Sequence, residues 1–260
     1  MPEGDTILRA ARRMRPVLEG TVPDEILMPQ ARHARDRWPE RLRGRAVTSV
    51  DTHGKHLFLR FEGDLVLHSH LRMTGAWGVY PQGQRWRRAS HRAWLVVRAR
   101  GHEVVEFDGP VLALMTEGRT RFDQRLAALG PDVLAAPAFD AAGFLERLRA
   151  DEPTRAIGDA LLDQRIVAGL GNIWKAEGCW GAQLDPWRKL RDVSDAEALA
   201  VIADARPRML AAAAAPRAHG EPRAVYGRAG RPCPRCGACV EARGQGDDNR
   251  TTFWCPGCQR

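Results

Sequence analysis

A chain of 260 residues with 44% apolar side chains is long enough to bury a sizeable core and to divide into two domains and a small module. No apolar run approaches the roughly eighteen residues that a membrane-crossing helix needs, so no membrane partner is expected. The formal net charge of +8 and the pI of about 9.7 direct attention to polyanions, of which nucleic acid is the commonest in a cell.

The chain begins Met1-Pro2-Glu3-Gly4-Asp5. A small second residue permits removal of the initiator methionine, which leaves Pro2 with a free secondary amine. With an α-amino pKa of roughly 7.7 to 8.0, about 10 to 20% of such an amine is free base near pH 7, against well under about 0.1% of an ordinary lysine. Attack on an aldehydic carbon then gives a cationic iminium, an electron sink suited to elimination at the neighbouring carbon; a merely processed N-terminus is the alternative for Pro2 taken alone, and Glu3 alone carries no more signal. Ile7, Leu8, Ala11, Met14, Val17 and Leu18 follow at helical spacing with arginines between them. They predict an amphipathic helix capped by Asp5 or Thr6.

From about residue 47 to 115 the period shortens. Alternating runs at 56–61, 65–70, 93–98, 103–107 and 111–115 are separated by turn signals at Gly54, Glu62-Gly63 and Gly109-Pro110, the pattern of an antiparallel sandwich. Lysine is scarce: Lys55, Lys175 and Lys189 are the only three among 40 basic residues. A coding bias toward arginine accounts for the scarcity. Where lysine survives it, a primary amine that can titrate is called for, because a guanidinium does not release its proton in a protein. Lys55, in the turn His53-Gly54-Lys55, is the candidate.

Helical periodicity returns after Gly130-Pro131-Asp132, at 141–148, 154–162, 173–179 and 194–214. Ser194 with Glu197 makes a capping box for the last helix, and Pro207 is expected to kink or end it. Between the second and third lies Ala168-Gly169-Leu170-Gly171-Asn172, a glycine-rich turn opening a helix. The N–H groups of Gly169 and Gly171, the Asn172 amide and the helix dipole can cradle a phosphate. A purely structural turn is the alternative, and no Gly-Lys-Ser/Thr follows to make it a nucleotide loop. The Arg/Gly/Pro stretch 216–232 predicts a mobile linker.

The last residues hold Cys233-x2-Cys236, eighteen intervening residues, and Cys255-x2-Cys258. Two such pairs on tight turns, here bent by Pro234, Gly237, Pro256 and Gly257, can place four thiolates around one Zn²⁺. Two disulfides are the rival. No secretory signal pattern opens the chain, so a reducing cytoplasm and zinc are expected. Cys239 repeats the x2 spacing after Cys236 but falls outside the two turns, and Cys179 is expected to be a buried thiol. Arg250 lies in the alternating run before Cys255, which predicts the second strand of a metal-bound hairpin that holds one arginine rigidly.

Together these segments resemble the Fpg/Nei family of DNA glycosylases, in particular its Nei (endonuclease VIII) branch of actinobacterial type. The resemblance covers the whole chain. It rests on Met1-Pro2-Glu3-Gly4-Asp5-Thr6, His53-Gly54-Lys55, Leu71-Arg72-Met73-Thr74-Gly75, Gly169-Leu170-Gly171-Asn172, Val225-Tyr226-Gly227-Arg228 and the final Cys255-Pro256-Gly257-Cys258-Gln259. It implies an α+β architecture. An N-terminal helix with an antiparallel β-sandwich occupies 1–130, a helix-two-turn-helix domain 131–222, and a linker with a zinc-bound β-hairpin 223–260, with DNA in the cleft between the domains.

The implied activity is that of a bifunctional glycosylase and AP lyase of base excision repair. Pro2 attacks C1′ of a damaged nucleotide and Glu3 protonates the sugar ring oxygen. Lys55 assists β-elimination and Arg250 the δ-elimination. Arg72 and Met73 fill the void left by the extruded nucleotide, whose stacking hole costs a few kcal/mol when empty. Gly169, Gly171, Asn172, Tyr226 and Arg228 hold DNA, and Cys233, Cys236, Cys255 and Cys258 hold one structural zinc ion. The partner is damaged DNA and the protein a monomer, cytoplasmic and nucleoid-associated through that DNA. The Fpg branch carries an Arg-Arg-Phe-Gly loop where this chain has Glu117-Gly118-Arg119-Thr120-Arg121-Phe122-Asp123, with Arg121 or Arg125 as candidate substitutes. That departure favours oxidised pyrimidines. An Fpg-like enzyme for oxidised purines and a non-catalytic zinc module that binds damaged DNA are the alternatives.

Overall fold

Helix α1 (Gly4–Leu18) opens the chain and buries Ile7, Leu8, Ala11, Met14, Val17 and Leu18, the apolar stripe of the sequence. Its start lies earlier than Asp5 or Thr6. Glu3 is the N-cap residue, and its carbonyl accepts from the N–H groups of Thr6 and Ile7 at 3.0 and 3.2 Å. Asp5 is left in the first turn, where a carboxylate faces the positive end of the helix and pairs with Arg9 at 3.6 Å. The computed structural model describes residues 2–30, 36–215 and 222–260, and the chain forms two units, Met1–Ala127 and Ala128–Arg260.

The first unit is a β-sandwich. After β1 (Glu25–Leu27) and a short helix α2 (Trp38–Leu42) come β2 (Val47–His53), β3 (His56–Phe61), β4 (Leu65–His70), β5 (Ala76–Pro81), β6 (Ala93–Ala99), β7 (His102–Phe107) and β8 (Val111–Thr116). One sheet has the order β2-β3-β4-β8 and the other β1-β6-β7-β5, all neighbours antiparallel. Leu57, Leu59, Leu67, Leu95, Val97 and Val104 line the core with the buried stripe of α1. Strands β2 and β5 carry no clear alternation. The first is polar and half-buried along most of its length. The second contains Gly78, where a Cβ would lie 2.3 Å from the Tyr80 ring, and ends on Pro81. Helices α3 (Glu117–Phe122) and α4 (Gln124–Ala127) close the unit. The segment compared with the Fpg-branch loop is thus a capped helix, with Thr116 Oγ1 accepting from the Arg119 N–H at 3.1 Å.

The second unit contains α5 (Ala141–Arg149), α6 (Ile157–Ala160), α7 (Asn172–Gly181), α8 (Asp195–Ala214) and the antiparallel hairpin β9 (Glu241–Gln245) and β10 (Arg250–Trp254). Helix α6 is shorter than the period at 154–162 suggests. The Ile157 and Gly158 N–H groups donate to the carbonyls of Arg188 and Pro186, each at 2.9 Å, so the preceding chain runs as a bridge instead of a helical turn. The Ser194–Glu197 capping box is present at α8. Pro207 does not end that helix: Ala205 and Met209, both buried, hold it on either side, and packing outweighs the lost hydrogen bond. Within the expected linker, residues 216–221 lie outside the described residues. Residues 222–232 are not a loose tether, since Ala224 and Val225 are buried and three successive amides there are held by one carboxylate, described below.

Candidate functional site

Pro2 is partly exposed and directly precedes the N-cap of α1, while Glu3 is 1% exposed. Met1 lies outside the described residues. Lys55 sits at the tip of the two-residue turn joining β2 and β3, across which His53 pairs with His56. Gly54 has φ 57° there, a left-handed backbone that glycine adopts at no steric cost.

Around this turn lies a group of histidines on β3 and β4 that no sequence motif marks. His56 Nδ1 and His68 Nε2 share a hydrogen bond of 2.8 Å, and the His56 ring lies 5.1 Å from His68 and 4.6 Å from His70. Burial, reinforced by the neighbouring cationic and histidine side chains, pulls His56 down to about 2 and His70 to about 4. Burial also lowers His68, against the opposing pull of Asp123. The rings are therefore neutral at pH 7. The register that brings 56, 68 and 70 together comes from strand pairing, which no motif reports.

Strand β4 leads into Leu71-Arg72-Met73-Thr74-Gly75. The Gly75 N–H donates to Leu71 O at 2.9 Å, and a Cβ on Gly75 would stand 2.8 Å from that same oxygen, so glycine is required for the turn to close. Arg72 is held at φ 43°, with its N–H donating to His70 Nδ1 at 3.2 Å. Met73 is 67% exposed. An exposed thioether beside an exposed arginine, on a turn pinned at both ends, is a finger that reaches away from the sandwich. Arg121 and Arg125 are both exposed on α3 and α4.

In the second unit Gly169 has φ 94°, and its N–H already donates to Gln164 Oε1 at 3.0 Å. Gly169 therefore shapes the turn and does not offer that N–H to a phosphate, a correction to the cradle expected from the glycine spacing. Gly171 is the N-cap of α7. Asn172 is buried and donates from Nδ2 to Thr251 O at 2.8 Å, so the glycine turn is joined to the strand whose first residue is Arg250. That arginine is exposed and pairs with Asp248 at 3.1 Å. Such a surface pair is worth little and yields readily to a phosphate.

Two further charged residues of α7 hold this region, and neither has a motif to announce it. Lys175, fully buried, donates from Nζ to Thr252 Oγ1 at 2.6 Å. Thr252 donates in turn to Gln245 Oε1 at 2.7 Å, and Gln245 Nε2 to Pro186 O at 2.8 Å. Glu177, 1% exposed, accepts from the N–H groups of Ala224, Val225 and Tyr226 at 2.9, 3.0 and 2.9 Å and pairs with Arg208 at 3.1 Å. Tyr226 packs on Phe253, with ring centroids 5.0 Å apart. Arg228 spends one guanidinium nitrogen on Pro232 O at 3.1 Å.

The sulfurs of Cys233, Cys236, Cys255 and Cys258 all lie within 4.8 Å of one another, with Cys236–Cys255 at 3.4 Å and Cys233–Cys258 at 3.9 Å. All are free thiols. Four sulfurs about 2.3 Å from a tetrahedral ion stand about 3.8 Å apart, so the cluster can hold a metal ion. Trp180 Nε1 donates to Cys233 Sγ at 3.3 Å and Arg235 to Cys258 Sγ at 3.7 Å, the outer hydrogen bonds that orient thiolate ligands. A Cβ at Gly257 would meet Ala238 Cβ at 2.7 Å and Cys236 Sγ at 3.1 Å, so only glycine fits beneath the cluster. Cys239 stands apart, exposed and bonded to Val240 O. Burial pushes the Cys179 thiol up to about 12, which makes it inert.

Residues 1–122 match the formamidopyrimidine-DNA glycosylase N-terminal domain and residues 129–219 the formamidopyrimidine-DNA glycosylase H2TH domain. The chain belongs to the formamidopyrimidine-DNA glycosylase, or Fpg/Nei, family. It is 40% identical to the probable endonuclease 8 2 of Streptomyces coelicolor, covering 100% of this chain and 94% of that protein. It is 35% identical to the DNA-(apurinic or apyrimidinic site) lyase Nei2 of Mycolicibacterium smegmatis, covering 100% and 99%, and 34% identical to the formamidopyrimidine-DNA glycosylase of Thermus thermophilus, covering 100% and 98%. Among solved structures, Lactococcus lactis Fpg in complex with DNA containing an abasic site shares the fold, with a TM-score of 0.83, 23% identity and 100% of both chains covered.

Proposed function

We propose that this chain is a bifunctional DNA glycosylase and AP lyase of base excision repair that removes oxidised pyrimidines from DNA. The observation that carries the reading is the placement of Pro2 directly before α1, next to a buried Glu3. With Met1 removed, the secondary amine faces the positive end of α1, which disfavours the ammonium and raises the fraction of nucleophilic free base. The amine lone pair bonds C1′, and the damaged base, leaving with the electrons of the glycosidic bond, takes up the proton that the amine sheds. Glu3 delivers a proton to the ring oxygen as its bond to C1′ opens, which leaves an iminium between Pro2 and C1′. Loss of a C2′ proton, assisted by Lys55, expels the 3′ phosphate, and a second elimination assisted by Arg250 expels the 5′ phosphate. Hydrolysis of the iminium returns Pro2.

Arg72 and Met73 occupy the void left by the extruded nucleotide, and Asn172, Gly171, Tyr226 and Arg228 support the DNA backbone. Cys233, Cys236, Cys255 and Cys258 hold Zn²⁺. With four thiolates no ligand position remains open to activate water, so the ion organises the hairpin that carries Arg250. The 35% identity to a protein named an apurinic or apyrimidinic site lyase supports the lyase step, and the relatives named endonuclease 8 support the pyrimidine branch over the purine one.

Borohydride trapping on abasic DNA tests the chemistry. A covalent complex is expected for the processed protein and none for a form that keeps Met1, whose Pro2 nitrogen is an amide. Undiminished trapping with Met1 in place would sink the Pro2 assignment. Parallel cleavage of thymine glycol, dihydrouracil and 8-oxoguanine duplexes tests the branch, with the two pyrimidine lesions expected to be cut faster.

A further inference from the structure

Between β5 and β6 an arm runs over residues 82–92 and contains Arg85, Arg87, Arg88 and Arg92. No acidic residue occurs from 82 to 100. Its side chains divide into two sets. Trp86 turns inward: its Nε1 donates to Glu103 Oε2 at 2.8 Å and its ring meets Phe107 edge-on at 5.7 Å. Arg88 also turns inward, donating to Asp108 Oδ2 at 3.0 Å and to Thr74 O at 2.8 Å, while Arg92 pairs with the same Asp108 at 2.6 Å. Arg85 and Arg87, the alternate residues, are exposed, and among the described residues no carboxylate pairs with either guanidinium. Open recesses of about 730 and 420 Å³ flank the arm, and both are lined by Arg85 and Arg87.

We propose that this arm is a second contact surface for duplex DNA, in which Arg85 and Arg87 take backbone phosphates outside the lesion. Arg85 and Arg87 flank the inward-turned Trp86, and the anchors of Trp86, Arg88 and Arg92 fix the course of the arm between them, so little backbone freedom is lost on contact. The Arg88–Thr74 bond makes the arm continuous with the turn that carries Arg72 and Met73. The inference rests on the reading that this turn meets the lesion. A protein partner is disfavoured, because the exposed large apolar residues among those described are Val22, Met73 and Phe122, none of them on the arm. Protein interfaces are anchored by buried apolar and aromatic side chains, whereas phosphate contacts need only fixed cations.

The test compares the full-length protein with the R85A/R87A and R85K/R87K variants by fluorescence anisotropy. One lesion duplex covers only the damaged nucleotide and its immediate neighbours, and a second is extended on both sides. For the longer duplex the slope of log affinity against log salt is expected to be shallower in R85A/R87A by about 1.8, at about 0.9 per lost phosphate contact, and restored in R85K/R87K. Affinity and cleavage on the short duplex should be the same for all three proteins. Equal slopes for wild type and R85A/R87A on the longer duplex would overturn the arm while leaving the glycosylase reading intact. Wild-type protein that binds neither duplex would overturn both.

Discussion

Glu106 on β7 is fully buried and accepts a hydrogen bond at Oε1 from Ser69 on β4, across the two sheets of the sandwich, while its Oε2 has no partner among the described residues. Burial pushes its carboxyl up to about 8, with the Ser69 bond pulling the other way. The unfolded chain releases that proton near the ordinary value of 4.5, so between 4.5 and 8 the native state binds more protons than the unfolded one. The Glu106 contribution to stability therefore falls as pH rises through that window and levels off above it, opposite in sign to that of the buried histidines. The Glu106 contribution to the fall is roughly 3 kcal/mol by pH 7. Glu106→Gln should remove this contribution, so the difference in urea midpoint between the two proteins should change steadily from pH 5 to 8; parallel profiles for the two proteins would refute the assignment. At this scale legibility depended on the residue type. Pro2 and Lys55 draw attention because few residues offer a titratable amine in such places, and Glu3 only through the family resemblance, whereas a glutamate inside Val-Val-Glu-Phe says nothing of the serine it meets from another strand.

Among the elements, α7 and the hairpin are joined by the chain Lys175–Thr252–Gln245–Pro186. The two ends of its first bond are not equivalent. Thr252→Val keeps the shape but takes an acceptor from a fully buried ammonium, and should cost about 1 to 3 kcal/mol. Lys175→Met removes the charge with its desolvation penalty and keeps the volume, so a smaller loss or none is expected. Chemical denaturation of both variants at unchanged m-value checks the order, and a larger loss for Lys175→Met would contradict it. Long alternating strands and the capped helix α8 were readable from period and caps alone. The beginning of α1, the shortness of α6 and the persistence of α8 through Pro207 were not, because carbonyl acceptors and packed neighbours distant in sequence decide them.

For the molecule as a whole, the order of the motifs was legible from end to end, and the division of labour follows from it. In the proposed reaction covalent chemistry starts at Pro2, while the thiol cluster serves contact with DNA. Replacing Cys255 with Ser, or stripping any bound metal with a chelator, should lower DNA affinity first and shift the dependence of trapping to higher DNA concentration. Saturating DNA should restore most of the trapping. Trapping that stays lost at saturation would mean that the cluster also acts on the chemical step. The grip of Glu177 also decides whether the C-terminal module can be cut away. Its carboxylate collects the amides of Ala224, Val225 and Tyr226, and the buried amine of Lys175 reaches into the hairpin from the same helix. Truncating the chain before Ala224 would strand two buried charges of opposite sign without these partners. The hairpin module is therefore no separable cassette, and removing it should destabilise the helix that grips it.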